Sequence, residues 1–181
     1  MNLAWIVKNP AQMDYRLEKV IAGIRQSYDY VFIDCAPTDS VLTTMALTAS
    51  NYVLIPMRPD RFSILGFANL TETIRRFRTN CPDPNSVQVL GVIFTQVTGS
   101  SNVEAQAMLD IGLAARKEKT YLFESRLKYS QSFIRSVNEQ TPIFETLYAQ
   151  DATRAAAAAI AEEVKKRIAA LSKPAQARGS K

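Results

Sequence analysis

Short apolar runs alternating with amphipathic helical stretches predict an α/β fold, a three-layer arrangement with a mainly parallel sheet and helices on both faces. Three observations carry that expectation. The runs Tyr30–Ile33, Tyr52–Pro56 and Val87–Thr95 are β-rich and lack polar alternation, which is how strands covered on both faces read. Stretches of helical spacing separate them, so successive strands are joined by right-handed crossovers. With 181 residues, 47% of them hydrophobic, the chain can bury one core. A single domain is expected over residues 1–171, followed by a disordered basic tail over 172–181.

The elements follow in order. Met13, Leu17, Val20, Ile21 and Ile24 recur at helical spacing between Gln12 and Gln26, with charges between them, and predict an amphipathic helix. The run Tyr30-Val31-Phe32-Ile33 then ends on Asp34 and the breaker Pro37, as a buried strand would. Thr38-Asp39-Ser40 offers capping residues to a helix bearing Val41, Leu42, Met45, Ala46 and Leu47, which leads into the strand Tyr52–Pro56. A helix with Phe67, Leu70, Ile74 and Phe77 on one face closes on Arg75, Arg76 and Arg78, where cations offset the helix dipole. The turn Pro82–Pro84, the strand Val87–Thr95 and a helix from Asn102 to Ala115 come next.

Beyond these, Thr120–Phe123 predicts a shorter strand, and a small helix over Ser130–Val137 stops ahead of Pro142. The last helix spans Asp151–Leu171, with Ile160, Val164, Ile168 and Leu171 as its apolar stripe and the alanine run 155–159 giving high intrinsic helicity. No internal repeat and no linker divides the chain.

Composition narrows the chemistry. The sequence has no histidine, which excludes Ser-His and Cys-His catalysis and the commonest zinc ligand. Cys35 and Cys81 have neither metal-ligand nor redox spacing and are expected to be structural thiols in a reducing compartment. The first ten residues carry no signal-peptide pattern and no apolar run is long enough to cross a bilayer, so a cytoplasmic protein is expected. A net charge of +5 is moderate, but it clusters: Arg75, Arg76 and Arg78, then Arg116, Lys117 and Lys119, then Arg126, Lys128 and Arg135. That clustering points toward a phosphate-facing surface.

Tyr28-Asp29-Tyr30-Val31-Phe32-Ile33-Asp34-Cys35-Ala36-Pro37 resembles the Walker B and switch II segment of ParA/MinD-type (Soj-like) deviant Walker ATPases. A carboxylate at the carboxyl end of a buried strand is held at the ligand edge of the sheet, where it can orient a magnesium-bound water. Three further segments are similar to the family in the same order: Leu42–Ala49 with Tyr52–Pro56, then Gly91–Gln96, then Phe133–Tyr148 with Gln140-Thr141-Pro142-Ile143-Phe144. Together they cover roughly residues 12–171 and imply a truncated P-loop NTPase fold.

The departures are equally specific. Glycines stand at 23, 66, 91, 99, 112 and 179, and none precedes a lysine, so the sequence contains no Walker A loop to cradle phosphates. The family's switch I aspartate has no counterpart either. Asp34 therefore has two readings: a carboxylate behind a magnesium ion, or a strand-end residue capping the turn into the next helix. On the resemblance, the cofactor-binding candidates are Asp34, Pro37, Thr95, Gln96 and Ser125, with Asp34 also the metal candidate. Thr95 and Gln96 would border an adenine, although polar residues are expected at the end of any buried strand. Arg126, Lys128 and Arg135 are the candidates for DNA phosphates, against a plain solvated basic face.

The resemblance implies a ParA-like partition or positioning ATPase linked to DNA segregation, with this sequence a fragment or truncated homologue. Relatives also serve division-site placement, polysaccharide secretion and reductase complexes. ATP and Mg2+ are the implied cofactors of the full-length family; neither is expected to be bound tightly by this chain, and hydrolysis is not expected from it alone. Implied partners are a second copy in a homo-oligomer, a ParB-like adaptor and non-specific nucleoid DNA, with no membrane. The alternative is a non-enzymatic DNA- or partner-binding protein that self-associates through the exposed part of the fold.

Overall fold

The computed structural model describes residues 15–35, 40–80, 87–147 and 149–172. Its elements are α1 (Arg16–Ile24, continued by a 3-10 turn over Arg25–Ser27), α2 (Val41–Ala49), β1 (Tyr52–Met57), α3 (Arg61–Asn80), β2 (Gln88–Phe94), α4 (Asn102–Lys117), α5 (Gln131–Asn138) and α6 (Asp151–Ser172). The chain divides into two compact units, one of Met1–Val53 with Leu65–Gln88 and the other of Leu54–Ile64 with Val89–Lys181.

In the first unit, α1 lies beside α2. Ser40 caps α2, its Oγ accepting from the Thr43 amide at 3.3 Å; Thr38 and Asp39 lie outside the described residues. Thr43, Ala46 and Leu47 are buried on α2, as are Phe67 and Ile74 on α3. Arg78 donates through Nε and an Nη nitrogen to the carbonyl of the fully buried Val87, at 3.2 and 2.9 Å, tying the end of α3 to the start of β2. Arg75 pairs with Glu72. Arg75 and Arg78 at the end of α3 thus hold local structure.

In this unit the predicted helix is present and the predicted strand is corrected. The helix predicted over Gln12–Gln26 begins its described part at Arg16, and none of its residues is buried; Val20 and Ile24 face solvent. The strand predicted over Tyr30–Ile33 is extended but belongs to no ladder among the described residues, and Tyr28, Tyr30 and Val31 are exposed while Phe32 is 84% exposed. An apolar run becomes a buried strand only when neighbours supply both its hydrogen bonds and its cover, and local pattern specifies neither. Cys35, expected as a structural thiol, is exposed; Cys81 lies outside the described residues.

β1 and β2 pair into a two-stranded sheet, of which Leu54–Met57 and Val89–Phe94 belong to the second unit. The pair is parallel: the Gln88 amide meets the Asn51 carbonyl and, six and seven residues on, the Thr95 amide meets the Met57 carbonyl, both at 2.9 Å. Since Met57 faces β2, the missing N–H of Pro56 falls on the opposite edge of β1, where it costs no bond of this ladder. The predicted strand Thr120–Phe123 shrinks to a parallel bridge between Val92 and Leu122, with a second bridge between Val97 and Lys128. Gly91 permits that approach: a Cβ there would lie 2.5 Å from the Tyr121 carbonyl oxygen and 2.9 Å from the Phe123 ring.

Side chains alternate across a strand, so Leu122 points to one face and Tyr121 with Phe123 to the other. Gly112 of α4 faces Leu122, with a Cβ position 3.6 Å from its side chain, while α6 reaches Tyr121 through Glu163. Helices therefore cover both faces, giving the expected three layers in this unit. The core here gathers Leu90, Val92, Ile93 and Phe94 with Ala107, Ile111 and Ala115. The apolar stripe of α6, Ile160, Val164, Ile168 and Leu171, is only half-buried. The expected tail lies mostly beyond the described residues, which end at Ser172. Among them, no helix is long and apolar enough to cross a membrane.

Candidate functional site

Parallel sheets bind ligands beyond the carboxyl ends of their strands. In the second unit that rim is built from three stretches: Met57 to Asp60 after β1, Phe94 to Ser100 after β2, and the segment from Phe123 to Tyr129. The ladder of the third is interrupted. Val92 donates to the Tyr121 carbonyl at 2.8 Å and accepts from the Phe123 amide at 2.9 Å; pairing then resumes with the Leu127 amide on the Phe94 carbonyl at 2.9 Å. It continues from Val97 to the Leu127 carbonyl at 3.1 Å and from Tyr129 to the Val97 carbonyl at 3.0 Å. This register sets Thr95 and Gln96 beside the segment carrying Ser125, Arg126 and Lys128.

All the candidates except Pro37 can be located. Thr95 is half-buried, and its amide is spent on Met57. Gln96 is exposed with a φ of 53°, a left-handed turn out of the sheet. Ser125 is half-buried, and its amide donates to Glu163 Oε2 at 2.9 Å. Arg126 and Lys128 are both exposed and flank the half-buried Leu127, as alternation along an extended segment requires. Arg135 is exposed on α5, whose start is capped by Ser130 accepting from the Ser132 amide at 3.2 Å. Asp34 belongs to the first unit and is exposed at the end of the Tyr30–Ile33 run, which joins no ladder among the described residues. Pro37 lies outside the described residues.

Several residues at the rim escaped the sequence reading. Glu104 accepts from the Thr98 amide at 2.7 Å, the Gly99 amide at 2.6 Å and the Thr98 hydroxyl at 3.0 Å. The Thr98 amide leads the bonds that hold its carboxyl below the usual carboxylate range. The signal was present: Ser101-Asn102-Val103-Glu104 is the S-x-x-E pattern of a helix start, and Ser101 does cap α4. Asp60 similarly accepts from the Ser63 amide at 2.8 Å at the head of α3. Glu163 had no such signal. It accepts from the Glu124 amide and the Tyr121 hydroxyl on Oε1, both at 2.9 Å. Burial pushes its carboxyl up, but the Ser125 and Glu124 amides with the Ser125 and Tyr121 hydroxyls outweigh it and leave the group lowered. An open cleft of about 520 Å³ adjoins it, lined by Tyr121, Ser125, Glu162, Lys166 and Arg167 among others.

Backbone amides are the usual phosphate cradle, and those of Thr98, Gly99, Glu124 and Ser125 are already engaged by Glu104 and Glu163. Among the described residues no three His, Cys, Asp or Glu side chains gather as a metal site would require.

An AAA domain family model matches residues 2–87. The chain is 30% identical over 98 residues to the sporulation initiation inhibitor Soj of Bacillus subtilis, covering 54% of this chain and 38% of Soj. It is 33% identical over 103 residues to the chromosome partitioning protein ParA of Caulobacter vibrioides, covering 56% of this chain and 38% of ParA. Among solved structures, apo McdA of Cyanothece superposes with a TM-score of 0.70 at 18% identity, covering 86% of this chain and 59% of McdA. The ATP complex of a McdA variant gives a TM-score of 0.69 at 18% identity over 87% and 58% of the two chains. The chain spans well under half the length of Soj and ParA. The sequence relatives and the shared parallel sheet agree: the chain is similar to ParA and Soj partition proteins and has a P-loop NTPase-like α/β fold.

Proposed function

We propose that this chain supplies the rear part of a ParA-like partition or positioning ATPase acting in DNA segregation, in the cytoplasm and at the nucleoid. The observation that carries the reading is the register of the β2 rim, which sets Thr95 and Gln96 beside Ser125, Arg126 and Lys128 at the ligand edge of a parallel sheet. In the whole protein Thr95, Gln96 and Ser125 border the nucleotide, and Asp34 and Pro37 belong to the Mg2+ side of the site. Arg126, Lys128 and Arg135 meet DNA phosphates, and a second copy and a ParB-like adaptor are the protein partners.

The chain alone does not turn over ATP on this reading, because its sequence has no glycine-lysine loop and the amides at its rim are already bonded. A sensitive assay of the purified 181-residue chain tests this: magnesium-dependent hydrolysis that Asp34→Ala abolishes would overturn it. The DNA role is tested by titrating a labelled duplex at several salt concentrations. Each phosphate contact adds roughly 0.9 to the log–log salt slope, so Arg126→Ala or Lys128→Ala should each lower it by about one. An unchanged slope in the triple variant with Arg135→Ala removes DNA from the proposal.

A second reading, a non-enzymatic interaction protein that self-associates, is favoured by one observation: Phe32, Phe62 and Leu147 are each at least 84% exposed. Light scattering that finds a compact monomer at high concentration counts against it.

A further inference from the structure

We propose that Glu163 is the positioning residue for the rim segment Ser125–Lys128, holding open a bulge that presents Arg126 and Lys128 to the polyanion. The inference rests on the DNA reading above and names what sets the geometry of that site. In a regular parallel ladder the residue two after Phe123, namely Ser125, would donate to the Phe94 carbonyl. Leu127 takes that acceptor at 2.9 Å instead, so two extra residues enter the strand between one pairing and the next. Bulges of this kind re-aim side chains at sheet rims, but they leave amides without ladder partners.

Glu163 supplies the missing partners. Its Oε1 accepts from the Glu124 amide and its Oε2 from the Ser125 amide, both at 2.9 Å, while Oε1 also accepts from the Tyr121 hydroxyl at 2.9 Å. Arg167, one turn further along α6, fixes the helix to the strand. Its Nε donates to the Leu90 carbonyl at 3.0 Å, on the edge where the ladder would otherwise continue, and its guanidinium sits 4.7 Å over the Tyr121 ring. Glu162 next to it is committed elsewhere, to Lys165 at 2.9 Å. The carboxylate of Glu163 thus closes the bulge against α6, while Arg126 and Lys128 in the same segment are exposed.

The sign of one substitution separates positioning from charge. Glu163→Gln removes one negative charge from the chain, so electrostatics alone predicts DNA binding that is no weaker, or tighter. Positioning predicts the reverse, roughly tenfold weaker binding of a labelled random-sequence duplex and a lower salt slope. Tyr121→Phe, which deletes only the hydroxyl, should weaken binding about two- to threefold. Amide exchange supplies a readout independent of DNA: Glu124 and Ser125 lose protection in Glu163→Gln while the buried Ile111 keeps it.

Binding by Glu163→Gln as tight as that of the parent chain, with Arg126→Ala/Lys128→Ala weakened, overturns the proposal. If the arginine–lysine variant binds normally, the DNA reading has failed; unchanged protection of Glu124 and Ser125 in Glu163→Gln then overturns the positioning claim as well. Should Glu163→Gln lose protection at Ile111, Tyr121→Phe decides, and full affinity with full protection in that variant sinks the idea.

Discussion

The runs Tyr30–Ile33 and Leu90–Phe94 look alike in sequence, each continuously apolar and β-rich, yet one is exposed and the other is the centre of its unit. Phe32 is 84% exposed, whereas Val92 is fully buried. What separates them is company. The second run has β1 bonded on one edge, Tyr121 and Phe123 on the other, and α4 and α6 over the two faces of the adjoining segment. The first has no ladder partner among the described residues. Burial energy is proportional to area removed from water, so the same side chains stabilise one unit and contribute little in the other.

Substitutions should expose that asymmetry. Ile111, fully buried against the sheet of the second unit, is the most sensitive position: Ile111→Ala should cost about 2–5 kcal/mol in urea unfolding. Gly91→Ala should follow at about 1–3 kcal/mol, because the new methyl group meets the Tyr121 carbonyl oxygen, which cannot move without breaking its bond to Val92. A denaturation midpoint unmoved by Gly91→Ala would show that the Tyr121 segment is not held where the ladder sets it.

Acid should act more gently and at a defined place. The carboxyl of Glu163 is lowered in the folded chain, so its contribution is complete above the ordinary carboxylate value of 4.5 and is lost as pH falls through the lowered one. The Tyr121 hydroxyl, raised mainly by its bond to Glu163, contributes fully below 10.0 and loses that contribution as pH climbs through the raised value. Thermal unfolding followed from neutral pH toward both extremes should show each loss in the parent chain, with the alkaline loss absent in Tyr121→Phe. The smallest effect belongs to the exposed run: Phe32→Ser should change stability by no more than about 0.5 kcal/mol. A larger destabilisation would mean that this segment is covered in solution, which would break the comparison.

The location of most elements was legible because helices and strands answer to local rules. Ser40, Ser101 and Ser130 all cap the helices that follow them, and α2 and α4 to α6 lie within a few residues of where periodicity sets them. Gly91 was read only as part of a family segment, yet its structural role is to admit the Tyr121 backbone. Candidate rim residues were legible in part: Thr95, Gln96, Ser125, Arg126 and Lys128 share one edge, whereas Asp34 ends a run that has no ladder partner among the described residues.

By itself the sequence determined the alternation of helices and strands, the caps, the family resemblance and the lack of a glycine-lysine loop, all of which depend on residues near one another along the chain. Only the tertiary structure decided which apolar run is buried, where the third strand bulges, and that a glutamate on α6, 38 residues beyond Ser125, closes that bulge. Burial and hydrogen-bond satisfaction are settled by groups distant in sequence, and no local pattern encodes which distant group will arrive.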